Sequence, residues 1–136
     1  MKYKAEYEII DPERYVFLRK ECGLSAKTMD AAKIAMRHSV CSVTVTDQLT
    51  DQVIGMGRII GDGACHCQIV DICVLPAHQK KGLGKLIMQK LDDFIKNELP
   101  ETCYISLIAD GEAFRLYQQF GFKEVWPVSR GMAKNR

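Results

Sequence analysis

The stretch Ile69-Val70-Asp71-Ile72-Cys73-Val74-Leu75-Pro76-Ala77-His78-Gln79-Lys80-Lys81-Gly82-Leu83-Gly84-Lys85 decides the fold. It opens as an almost continuously apolar run, Ile69 to Val74, the composition of a central strand buried on both faces. It closes at the start of the most regular pattern in the chain. Leu86, Ile87, Leu91, Phe94, Ile95 and Leu99 follow Leu83 by three, four or sums of these, with Lys85, Gln89, Lys90, Asp92, Asp93 and Lys96 mostly opposite, which is an amphipathic helix that Pro100 stops. The loop between strand and helix is basic and carries Gly82 and Gly84. First-turn N–H groups of a helix have no internal partner and sit at the positive end of the macrodipole, so an anion there gains several hydrogen bonds at once. A side chain at Gly82 or Gly84 would stand between those amides and a phosphate, and Lys80, Lys81 and Lys85 add attraction.

Spacing narrows which phosphate is meant. A Walker loop needs a glycine five residues before its Gly-Lys-Ser/Thr ending; Gln79 holds that place relative to Gly84, and Leu86 follows Lys85 where a hydroxyl belongs. A dinucleotide fingerprint needs a third glycine where Ile87 stands, and a first one immediately after the strand. Nucleotide hydrolysis and nicotinamide or flavin chemistry are both disfavoured.

Outward from this unit, the alternation Tyr3, Ala5, Tyr7, Ile9 predicts a strand, and Asp11-Pro12-Glu13 reads as N-cap, first-turn proline and acidic start of a helix. Thr28 to Arg37 is a second helix. Val40 to Thr46 and Val53 to Ile60 are β-branched or apolar runs joined by a polar turn, a hairpin. Tyr104 to Ile108 reads as a strand, Glu112 to Phe120 as a helix ended by Gly121, and Phe122 to Val128 as a last strand. The expected order is strand, two helices, three strands, helix, strand, helix, strand.

The 136 residues suit one domain, 1–136, with 47% hydrophobic and 26% charged residues, the balance of a soluble globular protein. A net charge of +2, from 19 basic and 17 acidic residues, gives no field for nucleic acid. The charged N-terminal segment lacks a secretory apolar core and no apolar stretch spans a membrane, so a cytoplasmic protein is expected. Cys22, Cys41, Cys65, Cys67, Cys73 and Cys103 then read as free thiols. Cys65-His66-Cys67 has no second ligand pair at zinc-site spacing, and no metal is expected.

Gln79-Lys80-Lys81-Gly82-Leu83-Gly84 resembles the Gln/Arg-x-x-Gly-x-Gly/Ala cofactor loop of the GNAT superfamily of N-acetyltransferases. Ala113-Phe114-Arg115-Leu116-Tyr117-Gln118-Gln119-Phe120-Gly121-Phe122 resembles that family's Ala-x-x-Leu-Tyr-x-x-x-Gly-Phe stretch. The resemblance implies an α/β fold with a mixed, mainly antiparallel sheet, splayed where the Ile69–Val74 and Tyr104–Ile108 strands run parallel. It implies acetyl-CoA with its diphosphate on the amides from Gln79 to Lys85, its pantetheine beside Ile72, Cys73 and Val74, and contacts at Asp110 and Phe114. Many members carry asparagine where Asp110 stands, and aspartate offers no amide donor. Tyr117 would lie near the thioester sulfur, and a homodimer is suggested.

An amine attacking a thioester must be neutral, the developing oxyanion needs donors, and the departing sulfur needs a proton. Tyr117 is the candidate proton donor, and amides near Cys73 or Val74 are the candidate oxyanion donors. Asp71 interrupts an apolar strand, so it either holds or deprotonates the amine or neutralises a partner such as Arg58. Asp62, Arg58 and His78 are weaker candidates. Cys73 has no histidine nearby in sequence to activate it, which favours direct transfer over an acyl-enzyme. The expected acceptor is the primary amine of a small molecule, bound by segments Glu21–Arg37 and Val125–Gly131. Protein acetylation and a non-catalytic acyl-CoA-binding module are the alternatives.

Overall fold

Five strands form one sheet in the order β1-β2-β3-β4-β5 in the computed structural model, which describes residues 2–136. The strands are β1 (Tyr3–Tyr7), β2 (Cys41–Asp47), β3 (Gln52–Gly61), β4 (His66–Val74) and β5 (Tyr104–Leu107). Neighbours pair antiparallel except β4 and β5, which are parallel. Helices α1 (Pro12–Glu21) and α2 (Met29–Arg37) follow β1, α3 (Leu83–Glu98) links β4 to β5, and α4 (Phe114–Gln118) follows β5.

The caps are those that composition dictates. The Asp11 carboxylate accepts from the Arg14 N–H at 3.4 Å ahead of Pro12, and Thr28 Oγ1 accepts from the Ala31 N–H at 3.1 Å. Each sheet face has its own core. Ile87, Met88 and Leu91 of α3 bury against Val43, Val45, Ile59, Cys67, Ile69 and Val74. Tyr15 and Leu18 of α1 and Ala32 and Met36 of α2 bury against Met56 and Cys73 on the other face. Gly57 lets α3 settle closely, since a Cβ there would lie 2.6 Å from Ile87 Cγ2 and 3.3 Å from Leu91 Cδ1.

Two expectations fail at the C-terminal end. Phe122 to Val128 forms turns and irregular chain instead of a strand. Pro127 removes a ladder donor in mid-segment, β5 pairs only with β4, and Val125, Trp126 and Val128 stay exposed. The helix expected over Glu112–Phe120 is a 3-10 turn at Gly111–Ala113 followed by the five residues of α4. Elsewhere boundaries move by a few residues; β4 begins at His66 because the β3–β4 hairpin pairs down to Gly61 opposite Cys67. All six cysteines are free, and no helix among the described residues is long and apolar enough to cross a membrane.

Gly57→Ala should lower unfolding free energy by about 1–3 kcal/mol through overpacking, read as a reduced urea midpoint with unchanged m-value.

Candidate active site

The site begins where the parallel pair ends. β4 and β5 pair at His66–Tyr104, Cys67–Ile105, Gln68–Ser106 and Ile69–Leu107, and no further. Residues 70–74 of β4 continue beside β3 with their other edge free of strand. Their departure coincides with a bulge: Met56 faces Cys73 and Arg58 faces Val70, so Asp71 and Ile72 together stand opposite Gly57. Asp71 takes up the extra length in a left-handed conformation, φ 64°.

The bulge also exchanges the faces. Strict alternation would put residues 71 and 73 beside Cys67 and Ile69 in the α3 core. Instead Ile72 and Val74 pack there, and Cys73 packs toward α1 and α2. Leu75 donates its N–H to the Ile54 carbonyl of β3 at 2.9 Å, so alternation directs the N–H and C=O groups of Ile72 and Val74 to the open edge. The Gln79 side-chain amide donates to the Val74 carbonyl at 2.9 Å, tying the head of the loop to that edge.

The loop runs through a 3-10 turn, Pro76–His78, anchored by the 2.7 Å hydrogen bond between Tyr3 Oη and His78 Nδ1. Lys80 (φ 62°) and Gly82 (φ 77°) are both left-handed, a conformation that turns successive amides toward one concavity. The first bond of α3 is Leu86 N–H to Gly82 C=O at 3.1 Å. Among the described residues, the N–H groups of Lys80 through Lys85 find no protein acceptor. A Cβ on Gly82 would meet nothing within 4 Å, so the space before these amides is clear. Lys80, Lys81 and Lys85 are exposed and Leu83 is buried. The cradle thus suits a diphosphate, and the open edge beside it suits an amide-bearing chain.

At the other wall, Leu116 of α4 lies over the first turn of α3, its Cδ2 3.5 Å from where a Cβ on Gly84 would be. Tyr117 is half-buried, edge-on to Phe122 with centroids 6.5 Å apart. Its hydroxyl makes no hydrogen bond to protein among the described residues. Burial, and then the Asp110 charge, push its pKa above the ordinary 10.0. Asp110 is exposed at the head of the 3-10 turn, and Phe114 is partly buried beneath the Arg115 guanidinium.

Asp71 points away from the open edge. Its carboxylate accepts from Arg19 Nη1, from Arg58 Nε at 2.7 Å and from Tyr15 Oη at 3.0 Å, with its side chain 5% exposed. The two guanidiniums also bond Ser25, Ser39 and the Ala35 carbonyl. Of the two readings of Asp71, this geometry is that of a structural acid. Arg19 and Tyr15 have no signal in the sequence beyond their four-residue spacing on one helix face.

The family model of the acetyltransferase (GNAT) domain matches residues 37–124, from the second helix to just past α4. The chain belongs to the GNAT acetyltransferase family. Its structure is similar to that of a probable acetyltransferase from meticillin-resistant Staphylococcus aureus, with a TM-score of 0.90 and 43% identity over 98% of this chain and 99% of that one. In sequence it is 30% identical over 95 residues to the chloroplastic GCN5-related N-acetyltransferase 1 of Arabidopsis thaliana, covering 68% of this chain and 47% of that protein. It is also 30% identical over 79 residues to the ribosomal protein bS18-alanine N-acetyltransferase of Haemophilus influenzae, 54% of each. The chain spans about half the length of these two relatives.

Other candidates in this GNAT chain take structural places. Cys73 is buried on the α1–α2 face, and a hydrogen bond with Cys22 together with burial raises its thiol pKa. His78 is held by Tyr3. Asp62 closes the β3–β4 hairpin, its Oδ1 accepting from the N–H groups of His66, Ala64 and Cys65 at 3.0, 2.8 and 2.8 Å. These bonds lower its pKa from 3.8 to about 2. A depressed folded-state pKa contributes stability that is complete above the unfolded value and lost as pH falls through the folded one. Asp62→Ala should therefore be less stable than the parent at neutral pH, and the gap in melting temperature should narrow between pH 3.8 and about 2.

Proposed function

We propose that this chain transfers an acetyl group from acetyl-CoA to a primary amine, with a small molecule as acceptor, by direct attack in a ternary complex. The observation carrying this reading is the run of unpartnered amides, Lys80 to Lys85, standing next to the open edge of β4. When bound, the donor supplies a thioester whose acetyl carbon is open to an amine and whose sulfur is the leaving group.

The chain's own groups divide the work. The Lys80–Lys85 amides and the Gly82 clearance hold the diphosphate, with Lys80, Lys81 and Lys85 drawing it in. Ile72 and Val74 offer backbone groups to the pantetheine amides and an N–H to the acetyl oxygen as charge gathers there. Tyr117 Oη, free of protein partners and protonated well past neutral pH, holds a proton for the departing sulfur. Asp110 and Phe114 flank the same wall. Cys73, facing the opposite core, is badly placed for an acyl-enzyme, which supports direct transfer.

The likeness to the bS18-alanine enzyme favours a second reading, an N-terminal peptide amine as acceptor.

Thiol release from acetyl-CoA, followed across a panel of small amines and an alanine-starting peptide, tests both. Turnover with small amines and none with the peptide is expected; the reverse would replace the first acceptor with the second. Tyr117→Phe should lower kcat about 100-fold or more, the scale of a lost general acid, with acetyl-CoA affinity nearly unchanged. Parent-like kcat would remove Tyr117 from the proton-donor role.

A further inference from the structure

Asp71 is the residue at which β4 changes hand, and every polar atom of its side chain is held from elements outside the cleft. Arg19 and Tyr15 reach it from α1, and Arg58 reaches it from β3. A left-handed backbone costs an ordinary L-residue roughly 1–2 kcal/mol, aspartate less than most, and nothing in a β-ladder rewards it. Its side chain must therefore be fixed from outside for the bulge to persist.

The bulge in turn decides which backbone groups face the open edge. Without the extra residue, alternation past residue 71 would reverse. Cys73 would then present its N–H and C=O to the cleft, while Ile72 and Val74 would turn theirs to β3.

We propose that Arg19, Arg58 and Tyr15 form a positioning clamp on the Asp71 carboxylate, which sets the β4 bulge and so aims the Ile72 and Val74 amides at the acetyl group. The clamp touches neither donor nor acceptor. It acts on the rate through backbone direction, and α1 thereby becomes part of the catalytic geometry. The diphosphate cradle lies past the bulge, at Lys80 to Lys85, secured by His78 on Tyr3 and joined to the clamped strand through Gln79 on Val74.

This inference rests on the acetyl-CoA reading, and the two fail differently. In Arg19→Met the carboxylate keeps its chemistry but loses one arm of the clamp. The expected result is a fall in kcat of about 10- to 100-fold, the scale of a displaced reacting geometry, with calorimetric Kd for coenzyme A weakened by a clearly smaller factor, because only its pantetheine meets the displaced amides and its diphosphate does not. Asp71→Asn should behave alike, and the double variant should be no slower than the slower single one, because both break one device. Arg19→Lys, which retains the charge without the fork, should recover part of the loss.

Parent-like kcat in Arg19→Met beside an inactive Asp71→Asn would overturn the clamp and place Asp71 on the substrate. A loss of coenzyme A affinity matching the loss of kcat would overturn it in favour of general packing. Should Arg19→Met or Asp71→Asn not fold, Arg19→Lys and Arg58→Lys carry the same test, with kcat lowered by a larger factor than Kd is weakened expected and equal kcat contradicting it. A folded parent that takes up no coenzyme A would instead sink the functional reading, and the clamp's part in catalysis with it.

Discussion

One buried carboxylate shared between two guanidiniums governs the shape of this protein's central strand. Asp71 sits with Arg19 and Arg58 at the meeting of α1, β3 and β4, where water is nearly excluded. A lone charge there would be prohibitive; removing one partner from such a pair typically costs about 3–5 kcal/mol. Two cations on one anion leave a surplus positive charge, and the surrounding acceptors absorb it: Ser25 for Arg19, and Ser39 with the Ala35 carbonyl for Arg58. The Tyr15 ring lies within 6.0 Å of both guanidinium carbons, adding an apolar contact that welcomes cations. With every arm satisfied, the cluster tolerates a backbone turn in mid-strand that a plain ladder would reject.

From that turn follows the division of labour along β4. Its first half is ordinary sheet, paired on both sides. Its second half keeps β3 and releases β5, so peptide groups that would be spent on a neighbouring strand become available. The 3-10 turn and left-handed residues of the following loop then bring α3 in with six amides unspent. A glycine at position 82 matters both for its left-handed backbone and for leaving the approach to these amides clear. Large apolar burial on the α3 face, including Ile87, Met88 and Leu91, holds the cradle rigid from below. Binding then costs little ordering of the chain.

Much of this was legible in the residues. The three-four spacing from Leu83 to Leu99 has only one structural meaning, and Pro100 fixes its end. The apolar run into a glycine-bearing basic loop announces a strand, a turn and an anion-accepting helix start. A helix was legible over Glu112 to Phe120, longer than the five residues α4 keeps, but the placing of Leu116 and Tyr117 at a cleft came only through resemblance. The tail misled because Phe122 to Val128 is strand-like in composition while Pro127 and the lack of a partner forbid a ladder; propensity for a strand is realised only against a neighbour. Asp71 showed its importance as a charge among apolar residues, yet which way it pointed depended on a bulge. Arg19 lies 52 positions away, and no local pattern links it to Asp71.

The account stands on a diphosphate held by backbone N–H groups at the head of α3, and donor truncation tests that most directly. Calorimetric titration of the folded chain with acetyl-CoA and with acetyl-pantetheine, which keeps the thioester but lacks the diphosphate, compares the two affinities. Two charge-assisted hydrogen bonds, at about 1.5–3 kcal/mol each, predict that the truncated donor binds at least about 100-fold more weakly. Equal affinity for both donors would contradict the account.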